Sequence, residues 1–329
     1  MSAVASIYTM PVQPITRIIM FVPGTPASLA AWGAALDRDL VRLEGDALHV
    51  GGVKDPVLVE WIANDGAFAR AFSFGTVGPD ILAQLSAAPG ALVLHWPEDL
   101  RTARAQILDA VAALRDAGAI AVRLEQSKLG WDVARWLELF SDDHPWAWHR
   151  GAVSMMSGDG TLQSCGMHAF SLPDVRVELH GDPAAAQELA TIFNVYRLAE
   201  DPELRSGHTF TPDASTPRRL VERWPDTEYP EGHPCHNPYG VWHLREGASI
   251  HPLGATVSVF IPALRVILTA LEEQRGKPMT RAEVEATRDA AACIALPPRE
   301  ADALERSRGY ADLEPELAWE QWQLVRGGG

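Results

Sequence analysis

Cysteine is nearly absent: Cys165, Cys235 and Cys293 are the only three among 329 residues, widely separated and without a Cys-x-x-Cys pair. An odd, scattered set excludes a disulfide framework and a Cys-rich zinc module, and it predicts reduced thiols. Unbroken apolar runs are missing too. The opening MSAVASIYTMPVQPITR is interrupted by Thr, Gln and two prolines, which fits neither a leader peptide nor the ~20 apolar residues of a membrane span. A cytoplasmic protein with no membrane partner is therefore expected. Basic residues are outnumbered, 28 Lys and Arg against 43 Asp and Glu, for a formal charge of -15. Phosphate-backbone binding draws on Lys and Arg, so nucleic acid is excluded as a partner and a basic protein surface is the one charge favours. Neither a Gly-x-Gly-x-x-Gly loop nor a P-loop occurs, and no internal repeat or low-complexity tract is visible.

What is present is a globular composition, 47% hydrophobic and 22% charged, enough for one large core or two ordinary ones. Ile18–Val22 and Ala91–Trp96 read as strands, each an apolar run bounded by turn residues. Between them Leu29 to Leu40 carries a helical pattern. Leu100, Ile107, Leu108, Val111 and Leu114 share one face of a helix that Gly118 ends. A strand over Ile120–Leu124 and an amphipathic helix from about Gly130 to Phe140 follow. The period then changes to that of a β-hairpin, residues 151–156 and 161–167, with Asp159-Gly160 at the turn. Asp174–Leu179 alternates as a third antiparallel strand, and Asp182-Pro183 starts a helix burying Leu189, Ile192, Phe193 and Tyr196. These units predict an α+β fold: a mixed, largely antiparallel sheet with helices packed on it, plus a helical C-terminal part.

Periodicity lapses after Asp201, where prolines recur, and returns at a strand over Ala255–Ile261 and a helix over Leu264–Glu273. A Thr280/Glu283 capping box opens a further helix, and Arg299–Arg308 forms the next. The expected organisation is thus an α+β domain over 1–200, a long irregular Pro-rich excursion over 201–245, and a strand plus C-terminal helices over 246–329 on the same body. At the C-terminus, Trp319 and Trp322 share a helix face suited to docking on that body.

Chemistry-bearing residues concentrate in PEGHPCHNPYGVWHLR, which sets His233, Cys235, His236 and His243 close together with His251 beyond. Imidazoles and a soft thiolate are what zinc takes, so these five are the candidate metal ligands, although the spacing matches no standard zinc pattern and the prolines restrain convergence. A proline-stiffened loop with capping or exposed histidines is the competing reading, and no cofactor is then required. Cys165 and His168 form a possible nucleophilic pair only if Gly166 breaks the strand, since residues three apart on a strand face opposite ways. A buried structural cysteine is the alternative. Asp142, Asp143 and His144 could serve acid-base chemistry or simply form a solvated turn anchored by the tryptophans after it.

The segments Ile120-Ala-Val-Arg-Leu-Glu-Gln-Ser127 and Gly166-Met-His-Ala-Phe-Ser-Leu-Pro-Asp-Val175 resemble an uncharacterised family of bacterial domains of unknown function, over about residues 91–200. The resemblance transfers no catalytic residue; it implies immunity or accessory roles beside toxin systems. On physical grounds the second segment is structural, with Gly166 permitting a bulge, Phe170 packing, and Pro173-Asp174 turning into the next strand. Two functions compete. One is a non-enzymatic binding protein, such as a bacterial immunity or adaptor protein with a basic protein partner, favoured by the acidic balance and eleven tryptophans. The other is a metal-assisted hydrolase using the His233/Cys235/His236/His243 cluster.

Overall fold

Two antiparallel-rich sheets, each formed within its own half of the chain, organise the protein. The computed structural model describes residues 17–36, 40–73, 76–179, 182–212, 218–246 and 257–327. Its contacts divide the chain after Glu138 into two compact units, where the sequence suggested a single body with its first domain running to residue 200.

In the first unit the chain runs β1 (Ile18–Gly24), α1 (Leu29–Ala35), β2 (Val41–Glu44), β3 (Ala47–Val50), β4 (Val57–Ala63), α2 (Phe68–Ala71), α3 (Pro79–Ala87), β5 (Gly90–Trp96), α4 (Arg104–Asp116), β6 (Ala121–Leu124) and β7 (Gly130–Asp132). The sheet order is β2-β3-β4-β5-β1-β6-β7, and its strand pairs are antiparallel. Burial explains the order. β1 is apolar on both faces and lies between β5 and β6, whereas β2 alternates buried and exposed as an edge strand should. Phe21 leaves β1 toward Phe68 and Phe72, with ring centroids 5.0 and 6.1 Å away, so α2 and α3 close that face. The helix expected from Gly130 begins later. Residues 130–132 pair with β6, and Asp132 accepts a hydrogen bond from the Arg135 N–H at the start of α5 (Val133–Ser141).

The second unit contains α6 (Pro145–Ala152), β8 (Ser154–Gly158), β9 (Thr161–Cys165), β10 (Asp174–Glu178), α7 (Pro183–Glu200), β11 (Thr209–Thr211), β12 (Arg219–Trp224), β13 (Val241–Glu246), β14 (Val257–Phe260), α8 (Leu264–Arg275), α9 (Arg281–Ala290), β15 (Cys293–Leu296), α10 (Pro298–Arg308) and α11 (Ala318–Gly327). Its sheet order is β14-β15-β11-β12-β13-β10-β9-β8. One pair, β10 with β13, is parallel; the fold is the α+β class with a mixed, largely antiparallel sheet that the sequence suggested. The hairpin turn carries positive φ at both Asp159 and Gly160, as a two-residue turn matched to strand twist requires. Asp182 caps α7 by accepting from the Ala184 N–H, and the capping box of α9 is formed reciprocally.

The excursion expected over 201–245 is corrected by this sheet: it supplies β11, β12 and β13. β11 is three residues long and wholly buried, too short to show a period. α7 lays Leu189, Ala190, Phe193 and Tyr196 over Val175, Val177, Val221 and Leu244. Each such side chain contributes about 1.5–3 kcal/mol on full burial. A second cluster joins α8, α9 and α11, with Trp322 buried and Trp319 packed beside it. The C-terminal helix therefore docks through its tryptophans.

Gly240 enters β13 with φ +75°, a conformation glycine adopts freely, and a Cβ there would collide with the Trp224 carbonyl oxygen. Gly240→Ala should lower unfolding free energy by more than about 2 kcal/mol. Gly45→Ala, at φ +61° in open space, should cost about 1 kcal/mol. Urea unfolding of the two variants checks the difference.

α6 and α7 also share a buried imidazole. His149 meets the Asn194 amide at 3.3 Å, and burial pushes its pKa down to about 4 from an ordinary 6.5. The unfolded chain then binds a proton that the folded one refuses, so stability is lost as pH falls from 6.5 toward 4. His149→Gln should remove about 2 kcal/mol of that pH dependence relative to the parent, read from unfolding curves at pH 7 and pH 4.5.

Candidate functional site

β12 and β13 pair up to Trp224↔Val241, so residues 225–240 form the loop that closes this hairpin. Four prolines limit its backbone, and short-range hydrogen bonds fold the rest. The N–H groups of His233, His236 and Gly240 donate to the carbonyls of Pro230, His233 and Asn237 at 3.1, 2.9 and 2.9 Å. Asp226 ties the two ends together, accepting from the Glu228 N–H at 3.0 Å and the Asn237 N–H at 2.8 Å. Such local side-chain-to-backbone bonds are why Asp and Asn recur in irregular segments.

A buried polar clasp fixes the loop to the sheet. The Asn237 amide donates to Asp174 Oδ2 at 2.6 Å and to the Leu172 carbonyl at 3.0 Å. Asp174, only 1% exposed, also accepts from the Ser164 hydroxyl at 2.8 Å and the Met167 N–H at 3.2 Å. Ser164 in turn accepts from the Val175 N–H. Gly166, with φ +124°, breaks the strand and starts a 3-10 turn over Met167–Phe170, a turn where a bulge was expected. That turn swings His168 inward, and its Nε2 donates to the Pro234 carbonyl at 2.9 Å. Burial opposes the His168 imidazolium, but Asp174, 3.7 Å from Nδ1, outweighs it and raises the pKa.

The candidate ligands are dispersed by this arrangement. His233 stacks on Tyr229 at 4.7 Å, and its Nδ1 accepts from the Cys235 N–H. His236 Nδ1 donates to the Tyr229 carbonyl at 2.9 Å. Cys235 is buried, and its backbone carbonyl accepts a hydrogen bond from the Cys165 thiol at 3.8 Å. His243 lies on β13 with its ring 4.6 Å from Trp224 and its Nε2 3.9 Å from Glu178. Burial lowers its pKa, with Glu178 opposing. His251 lies outside the described residues. Among the described residues no three His, Cys, Asp or Glu side chains are arranged to hold a metal, and the four described candidates are held in different local settings.

Cys165 and His168 do not make a nucleophilic pair either, although the strand breaks as that reading required. The Cys165 thiol is pushed well above its usual range by its hydrogen bond with Cys235, then by burial and by Asp174, so it stays protonated and inert. His144 caps α6 by accepting from the Trp146 N–H, and the Asp142-Asp143-His144 string forms the turn that links α5 to α6.

The loop borders an open hollow of about 660 Å³, lined by Asp226, Glu228, Tyr229, Glu231, His236 and Asn237 among others. Asp226 and Asn237 were not singled out from the sequence; their signal was Asx residues beside prolines, Trp-Pro-Asp and His-Asn-Pro. Comparison of the chain with family models, curated proteins and solved structures finds no match.

Asp174→Ala should destabilise the protein by about 3–5 kcal/mol, since it orphans buried donors from Ser164, Met167 and Asn237. In Asp174→Asn the His168 pKa should fall, because its principal raising partner is gone. NMR titration of the imidazole checks this.

Proposed function

We propose that this chain is a non-enzymatic binding protein that takes a basic protein segment into the acidic hollow of the 225–240 loop, in the manner of a bacterial immunity or adaptor protein working in the cytoplasm. The observation that carries the reading is a carboxylate-rimmed hollow on a loop already held by Asp226, Asn237 and Asp174. Glu231 lines it, as does Glu228, whose ion pair with Arg176 at 3.2 Å a cationic partner would share or displace. A loop ordered before binding loses little conformational entropy on association. The formal charge of -15 steers a cationic partner toward the protein and speeds encounter. Trp224, 42% exposed at the base of the loop, supplies the kind of aromatic anchor on which binding energy concentrates.

The metal-assisted hydrolase lacks such support, since the His and Cys side chains it needs do not converge among the described residues. No helix among these residues is long and apolar enough to cross a membrane.

An arginine-rich peptide titrated into the purified protein should bind with an affinity that falls steeply as salt is raised. Glu228→Gln with Glu231→Gln should weaken it about tenfold or more, while leaving thermal stability within about 0.5 kcal/mol. Equal affinity of this double variant, or affinity indifferent to salt, would overturn the reading.

A further inference from the structure

A second hollow, of about 510 Å³, opens within the second unit between α6, α7, α8 and α9. Its size falls inside the ~300–1,000 Å³ of small-molecule sites. Its walls are apolar for a reason visible in the sequence. α9 presents Ala286 and Ala290 one turn apart, and Ala291 and Ala292 follow, so methyl groups line a surface that Leu or Ile would have filled. None of the lining residues carries a charge.

One polar group there has no use in the fold. Tyr196 lines the hollow and is 2% exposed, and its hydroxyl has no hydrogen-bond partner among the described residues. Its ring is held by Phe193 and Phe210, stacked nearly parallel on the latter at 6.1 Å. Burial pushes the phenol upward, so it remains a neutral donor. A buried hydroxyl without a partner is unfavourable and uncommon in native structures. The other hydroxyl in the wall, Thr287, already donates to the Glu283 carbonyl.

We infer that this hollow binds a small, neutral, largely apolar molecule whose single carbonyl or ether oxygen accepts a hydrogen bond from Tyr196. Charged ligands are rejected because no counter-charge lines the walls, and an ion buried without one is strongly disfavoured. The site is separate from the acidic hollow and does not depend on its role.

The test uses three probes of one shape: 2-acetylnaphthalene, 2-ethylnaphthalene and 2-naphthoate, titrated calorimetrically into the full chain. The ketone should bind one to one and about tenfold more tightly than the hydrocarbon, with the carboxylate weaker than both. Tyr196→Phe should erase the preference for the ketone while keeping hydrocarbon affinity, and the probe-free variant should be at least as stable as the parent. Ala290→Leu should weaken both neutral probes. The inference fails if no neutral probe binds, or if the ketone preference survives in Tyr196→Phe. It also fails if the protein is a dimer that the probes dissociate, which would assign the hollow to a second copy.

Discussion

The Asp174 carboxylate is the constraint on which the second unit is organised. A carboxylate at 1% exposure is tolerable only when its lone pairs are taken up. Asp174 achieves this with a hydroxyl from β9, a backbone N–H from the 3-10 turn and an amide from the 225–240 loop. Its own backbone N–H donates to the Gly240 carbonyl, where β13 begins its parallel run beside β10. Four segments must therefore arrive in one arrangement for a single group to be satisfied. An apolar residue at this position could pack in several ways; a buried anion with directional partners cannot.

The same geometry explains why a histidine-rich segment does not become a metal site. Ligation needs free nitrogen lone pairs and thiolate sulfur pointing to a common centre. In the loop one ring nitrogen, Nδ1, of His233 and of His236 already serves the backbone, Cys235 faces the Cys165 thiol, and among the described residues the remaining ligand atoms share no common centre. These residues brace the loop from within. Their bracing leaves the carboxylates of Glu228 and Glu231 on the rim, so the acidic hollow is a consequence of how the imidazoles are used.

Legibility in the sequence followed element length and burial. β1, β5, α4, α7, α8 and the capped α9 were readable because each holds a full period of its pattern or an explicit cap. The Asp159-Gly160 turn was readable because few residues tolerate positive φ at both positions. Residues 41–87 were not read, although Val41-Arg-Leu-Glu44 and Ala47-Leu-His-Val50 alternate around Gly45-Asp46; four-residue strands sit close to the limit at which alternation stands out from chance. β11 and β15 fell below that limit. The clasp was harder still. Ser164 and Asp174 are ten residues apart across the antiparallel β9–β10 pair, and Asn237, a further sixty-three from Asp174, arrives through the parallel β10–β13 pairing. Long-range pairing of this kind leaves no local mark in the chain.

The two hollows of the second unit show opposite uses of a vacancy. Around the acidic one, Asp226 and Asn237 are engaged in holding the loop, and Glu228 shares its charge with Arg176, which leaves Glu231 as the rim carboxylate most open to a partner. Around the apolar one, packing is left incomplete by alanines on α9 while a phenol on α7 has no partner among the described residues. Close-packed interiors rarely tolerate both omissions in one place, because the void and the orphaned hydroxyl each cost stability and either could be removed by one substitution. Their coincidence at Tyr196 is the structural argument for a ligand: a molecule that fills the void and accepts from the hydroxyl relieves both at once.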